Sequence, residues 1–182
     1  MTLHYSKVIL AGAAMALVAG QAFAQQSTNR VSVKTDWSVF VEREATGSGG
    51  FAGCWGVTAP KNTVNTRDGA TVSVRRGDIR LMVFYTLQDQ GAGQVTFTGG
   101  YPFAPGSTAE LNVDGTQYEM STDGELAWPT TPGQEPAIIA AMKRGAEAVI
   151  TARSSRGTIT RDTFSLSGFT AAADEAKRQC AS

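Results

Sequence analysis

V-S-V-R-R-G-D-I-R-L-M-V-F-Y, Val72 to Tyr85, is the stretch whose periodicity decides the fold. In its first half Val72 and Val74 alternate with Thr71, Ser73 and Arg75, which is the two-residue period of a half-buried strand. Arg76-Gly77-Asp78 then breaks the pattern. From Ile79 to Tyr85 every position but Arg80 is apolar, and this predicts a central strand covered on both faces.

The same period recurs outward in both directions. Upstream, Trp37, Val39 and Val41 alternate with Ser38, Phe40 and Glu42. Downstream, Val95 and Phe97 lie among threonines, Leu111 and Val113 lead into Asp114-Gly115, and Tyr118 and Met120 resume the alternation. Val149 and Ile150, followed by Phe164 and Leu166, predict one more hairpin. Asp68-Gly69, Asp114-Gly115 and Asp123-Gly124 supply positive-φ positions for tight turns, with a further break at Arg156-Gly157. Strands at such spacing predict an all-β fold, an antiparallel immunoglobulin-like β-sandwich, with residues 37–182 forming a single domain.

Two short helices are expected within it. One begins at Pro136, preorganised for a first helical turn, and stops at Gly145. The other follows Thr170 as N-cap and runs to Cys180, with Lys177 and Arg178 where the dipole favours cations. Its alanine face is expected to lie flat on the sheet. The segments 47–50 and 128–136, rich in Gly or Pro, read as loops.

Residues 1–24 read as a cleaved secretory signal: Lys7, an apolar run from Val8 to Ala19, and Ala22-Phe23-Ala24 as a small-x-small cleavage site. The run is about a dozen residues against the roughly 20 of a spanning helix. No later stretch is long enough to span, so the mature chain is expected to lack a transmembrane segment and to be periplasmic, secreted or at the cell surface. Residues 25–36 are a polar lead-in with a weak Val31/Val33 alternation, suited to an edge strand. In an oxidising compartment Cys54 and Cys180 are best paired as one disulfide tying the C-terminal helix to an early strand. The competing reading is two separate thiols, although their spacing fits neither C-x-x-C nor a metal pattern.

The chain has 16 Lys+Arg against 16 Asp+Glu and one histidine, His4, which the leader removes. Balanced charge argues against a sequence-blind nucleic-acid binder. Loss of His4 and pairing of the thiols would exclude Ser-His-Asp and Cys-His catalysis and histidine-ligated zinc together. No cofactor and no metal are expected, since no calcium loop of the D-x-[DN]-x-[DN]-G type occurs. Gly47-Ser48-Gly49-Gly50-Phe51-Ala52 matches a relaxed dinucleotide pattern but runs into strand-like Cys54-Trp55-Gly56-Val57 rather than a helix, so a hairpin loop is the better reading. Glu119, Asp123 and Glu125 near Trp128 are the remaining acid/base candidates, for a glycan hydrolase. Against that reading, Asp123 is needed by its own turn.

The basic residues fall into small groups: Arg75, Arg76 and Arg80; Lys143 and Arg144; Arg153, Arg156 and Arg161. If the hairpins carrying the arginines adjoin, they form a patch for anionic glycans or lipid headgroups. Tyr101 and Phe103, in T-F-T-G-G-Y-P-F-A-P-G, either expose aromatic surface to a partner or fold back over the sandwich end. The candidate contact residues are therefore Tyr101, Phe103, Trp128, Arg75 and Arg76, and no catalytic residue is assigned.

Six segments carry a wider resemblance: W-S-V-F-V-E from Trp37, C-W-G-V-T-A-P from Cys54, V-S-V-R-R-G-D-I-R-L-M-V from Val72, F-T-G-G-Y-P-F from Phe97, A-M-K-R-G-A-E-A-V from Ala141 and D-T-F-S-L-S-G-F-T-A-A from Asp162. In this order the chain closely resembles the invasion-associated locus B family of Gram-negative bacteria, from Trp37 to Cys180. The resemblance implies an exported single-domain β-sandwich associated with host-cell invasion, and it supplies no catalytic residues. The resulting expectation is a non-catalytic envelope protein binding an envelope or host-surface protein or glycan, with the periplasmic glycan hydrolase and a general envelope-maintenance protein as alternatives.

Overall fold

The computed structural model describes residues 29–42, 53–86 and 92–181. The leader at 1–24 and the glycine-rich loop at 47–52 lie outside the described residues. The first half of the sheet contains β1 (Arg30–Lys34), β2 (Trp37–Glu42), β3 (Gly53–Thr58), β4 (Asn62–Arg67), β5 (Ala70–Thr71) and β6 (Arg80–Tyr85). The second contains β7 (Gln94–Thr98), β8 (Thr108–Val113), β9 (Thr116–Asp123), β10 (Leu126–Pro129), β11 (Glu147–Arg153) and β12 (Ile159–Ser165). Helix α1 (Glu135–Arg144) precedes β11, and α2 (Phe169–Cys180) ends the fold.

Among the described residues these strands form one antiparallel sheet in the order β1-β2-β3-β6-β7-β10-β9-β8-β11-β12-β4-β5. The sheet bends back on itself into a sandwich-like body. Phe97 of β7 meets Phe164 of β12 edge-on at 6.1 Å, and the Trp37 indole N–H donates to the Ser165 carbonyl at 3.0 Å. The chain passes between the two arms at the β3–β4 connection. There the Thr58 hydroxyl donates to the Asp36 carbonyl at 2.7 Å, and the Lys61 ammonium meets the Asp36 carboxylate at 2.6 Å.

Alternation sets the core. Trp37, Val39 and Val41 of β2 and Leu81, Val83 and Tyr85 of β6 are buried, while their neighbours along each strand are only half-buried or exposed. The outer face of β6 is therefore half-covered rather than buried as the sequence suggested. Aromatic stacking supplies that partial cover, with the Trp55 ring between Phe40 at 5.8 Å and Phe84 at 5.9 Å.

Helix α1 starts one residue before the expected Pro136, ends at Gly145 and buries Ile138, Ile139 and Met142. Helix α2 lays Ala172, Ala173 and Ala176 on β2, β3 and β6, with Phe169 edge-on to Trp37 at 4.8 Å. Its last residue, Cys180, forms a disulfide with Cys54 of β3 across a sequence separation of 126. Thr170 is not its cap. The helix begins at Phe169 behind Gly168, whose φ is 90°, and the Thr170 hydroxyl donates to the Lys143 carbonyl at 3.1 Å, joining the two helices.

Two further departures matter for the site. None of the first half of the opening stretch is in a strand: β5 ends at Thr71, and residues 72–79 run irregularly from it to β6. The polar strand β4 and the proline-ending β10 carry no periodic signal, yet both are paired over their lengths. Part of the lead-in, Arg30–Lys34, is edge strand β1 against β2, the element to which its weak alternation was suited.

Candidate binding cleft

The irregular segment 72–79 is held by one side chain. Arg76 grips the Asp162 carboxylate of β12 through both terminal nitrogens, at 2.7 and 2.6 Å, with Arg76 6% and Asp162 0% exposed. Its Nε donates to the Gly99 carbonyl at 2.9 Å, and Nη1 also reaches the Asn65 side-chain oxygen at 3.3 Å. A forked guanidinium suits this bidentate contact, and the added acceptors satisfy its remaining donors. Beside it the backbones of Gly77 and Gly100 cross, with the Gly77 N–H donating to the Gly100 carbonyl at 2.8 Å. Gly100 has φ 70°, and a Cβ there would stand 2.6 Å from the Gly77 backbone, so neither the conformation nor the spacing admits a side chain.

Tyr101 follows directly. Its ring lies under the Arg76 guanidinium at 4.9 Å and edge-on to Phe103 at 5.2 Å, and its hydroxyl shares a hydrogen bond with the Thr160 hydroxyl at 2.5 Å. Burial pushes the Tyr101 phenol above its ordinary pKa, while the Thr160 hydrogen bond and the Arg76 charge oppose the rise.

These elements wall an open cleft of about 500 Å³. Arg67 enters from the end of β4, Arg75 from the irregular segment, and Arg156 from the β11–β12 turn, with Ser73, Ser155 and Pro102 between them and Glu125 as the single lining carboxylate. Arg67 donates to the Thr158 hydroxyl at 2.7 Å, a neutral partner. Among the described residues no acid lies within ion-pair distance of Arg67, Arg75 or Arg156, whereas the charge of Arg76 is matched by Asp162. The cleft therefore presents three guanidinium groups with no ion-pair partner among the described residues, beside Tyr101 and Pro102.

Of the contact residues expected from sequence, Arg75, Arg76 and Tyr101 meet here. Phe103 does not belong to a contact surface: it is 6% exposed, tilted against Phe97 at 6.1 Å and bridged to Ser154. Core burial of its ring is the physical reason. Trp128 is 41% exposed on β10 but does not line the cleft. The adjoining of the arginine groups holds in part. Arg156 joins Arg75 and Arg76, whereas Arg80 pairs with Asp78 at 3.3 Å and Arg161 lines a separate polar groove with Glu110, Asp114 and Glu147. Arg67 was missed because its strand, N-T-V-N-T-R, has a single apolar residue and so no period.

The acid/base candidates are not brought together. Glu119 and Asp123 stand four residues apart on the same strand, about 13 Å along it, beyond the separation of a glycosidase pair. Glu125 turns instead to the arginine cleft. Among the described residues no group of three or more His, Cys, Asp or Glu is placed to hold a metal ion, and no helix is long and apolar enough to cross a membrane.

Comparison with known proteins agrees with this architecture. A comparison with curated proteins gave no match. Among solved structures, the crystal structure of invasion associated protein B from Bartonella henselae is similar with a TM-score of 0.55 at 14% sequence identity, covering 83% of this chain and 98% of that one. At that identity the likeness shows the fold. The model of the invasion associated locus B (IalB) protein family matches residues 37–177, from the first buried strand to the last turn of α2. The chain belongs to the invasion associated locus B family.

Proposed function

We propose that the protein is an exported, non-catalytic component of the bacterial envelope that binds an anionic envelope constituent through the arginine cleft. The observation that carries this reading is the set of three arginines without an ion-pair partner among the described residues, Arg67, Arg75 and Arg156, delivered to one cleft by three separate elements. Holding like charges together costs electrostatic energy, and an anionic ligand offsets that cost. Export is supported by the leader-like residues 1–24, by the Cys54–Cys180 disulfide and by family membership. The test is retention of envelope extract on the immobilised oxidised protein. Wild type should retain a component that high salt releases, and the Arg75→Glu/Arg156→Glu variant should lose it. Equal retention by both would remove the cleft from the reading. The invasion association in the names of the family and of the Bartonella henselae structure favours a second reading, a host-surface partner. Binding of the same two proteins to host cells tests that reading.

A further inference from the structure

We infer that the cleft is a sugar-phosphate site, in which a phosphoryl group is held by Arg67, Arg75 and Arg156 and the sugar lies along the Tyr101 and Pro102 wall. The inference rests on the proposed binding role and names the ligand class for it.

Two features separate a phosphoryl group from a carboxylate. A phosphate monoester carries about 1.5 to 2 negative charges and three terminal oxygens, whereas a carboxylate carries one charge and two oxygens. Three guanidinium groups entering from β4, the irregular segment and the β11–β12 turn supply donors from three directions, which matches three oxygens better than a planar pair. The Ser73 and Ser155 side chains on the same lining add neutral hydroxyl donors. Volume argues for more than a free ion. The cleft, about 500 Å³, falls in the range of small-molecule sites, so a phosphoryl group alone leaves most of it empty. The remaining wall includes Tyr101, its ring fixed by Thr160 and Arg76, and Pro102, apolar groups against which a sugar ring can rest.

Arg76 has a different part. Both its terminal nitrogens are committed to Asp162, so it positions the segment carrying Arg75 and the ring of Tyr101 rather than receiving ligand. Glu125 faces the same space with the wrong sign for an anion. Its removal is therefore a diagnostic that a generic loss of structure would not imitate.

The test is titration of the oxidised, isotope-labelled protein, followed by amide NMR shifts, with glucose 1-phosphate, inorganic phosphate and glucuronate as probes. A further arm presents a phosphorylated glycolipid in neutral detergent micelles. Glucose 1-phosphate should bind more tightly than inorganic phosphate or glucuronate, moving amides of residues 73–76, 100–102 and 154–158. Arg75→Ala and Arg156→Ala, both at exposed positions, should each weaken it about tenfold, and Glu125→Gln should tighten it about threefold. Tighter binding of the micellar glycolipid would assign the source as a lipid headgroup, and equal or weaker binding would assign a free sugar phosphate. Both results support the chemistry. Glucuronate binding as tightly as glucose 1-phosphate would overturn the phosphoryl assignment. No binding of any phosphate probe, with envelope retention still dependent on Arg75 and Arg156, would overturn it while leaving the binding role standing. If retention is also independent of those arginines, both fall.

Discussion

Asp162 is fully buried on β12, and its carboxylate is satisfied by one residue, Arg76, from a segment with no strand of its own. Removing Arg76 leaves the buried Asp162 carboxylate without its compensating charge. Arg76→Ala is therefore expected to cost about 3–5 kcal/mol in urea unfolding, and the joint replacement Arg76→Met/Asp162→Leu much less. Gly168 is a second position where one atom decides. With φ at 90° and a Cβ falling 1.9 Å from the Lys34 carbonyl oxygen, Gly168→Ala should displace the start of α2 and lower the melting temperature by several degrees or more. Asp36 sets a pH dependence. Hydrogen bonds from Lys61 and then Ser165 hold its carboxyl below the ordinary value, opposed by its burial and aided by the Lys61 charge. A lowered folded-state pKa adds stability above the unfolded value, and that stability is lost as pH falls through the folded one. Asp36→Asn should therefore flatten the fall in melting temperature below about pH 4. At this scale the sequence was ambiguous where packing decides: Tyr101 and Phe103 sit two residues apart in one Gly/Pro-rich connection, yet one lines the cleft and the other fills the core.

Among the elements, α2 depends most on a covalent link. Its buried face is mostly alanine, which offers little apolar area per residue, so the disulfide to β3 supplies what packing does not. For a loop of this length the chain-entropy model gives about 4–5 kcal/mol, so reduction should lower the urea midpoint accordingly and raise amide exchange first in α2. The elements legible in the sequence were those with one wet and one dry face. β2, β8 and β9 and the two helices were announced by periodicity and turn chemistry, whereas β6 was announced by its continuous apolar run. β4 was not, because N-T-V-N-T-R pairs with β12 through its backbone while burying none of its residues. β10 was hidden by its terminal proline, which pairs opposite Met120. The irregular course of residues 72–79 was masked by an apparent alternation, because the Arg76–Asp162 bond and the Gly77–Gly100 crossing override the local period.

For the whole molecule, fold class follows from properties spread along the chain, and the site follows from properties brought together only by the fold. Because β4 pairs directly with β12, Arg67 and the β11–β12 turn carrying Arg156 lie at the same end, where the tethered segment adds Arg75. Nothing in the spacing of 67, 75 and 156 discloses this, although the separate arginine groups hinted at part of it. On the proposed function, this end of the sandwich, and not the surface around Trp128 or the groove at Glu110 and Glu147, meets the ligand. Hydrogen–deuterium exchange of the oxidised protein with and without envelope extract tests it most directly. Protection confined to residues 73–76, 100–102 and 154–158, and absent in Arg75→Glu/Arg156→Glu, is the expected result. Protection centred on β9 and β10, or unchanged in the charge-reversed protein, would contradict it.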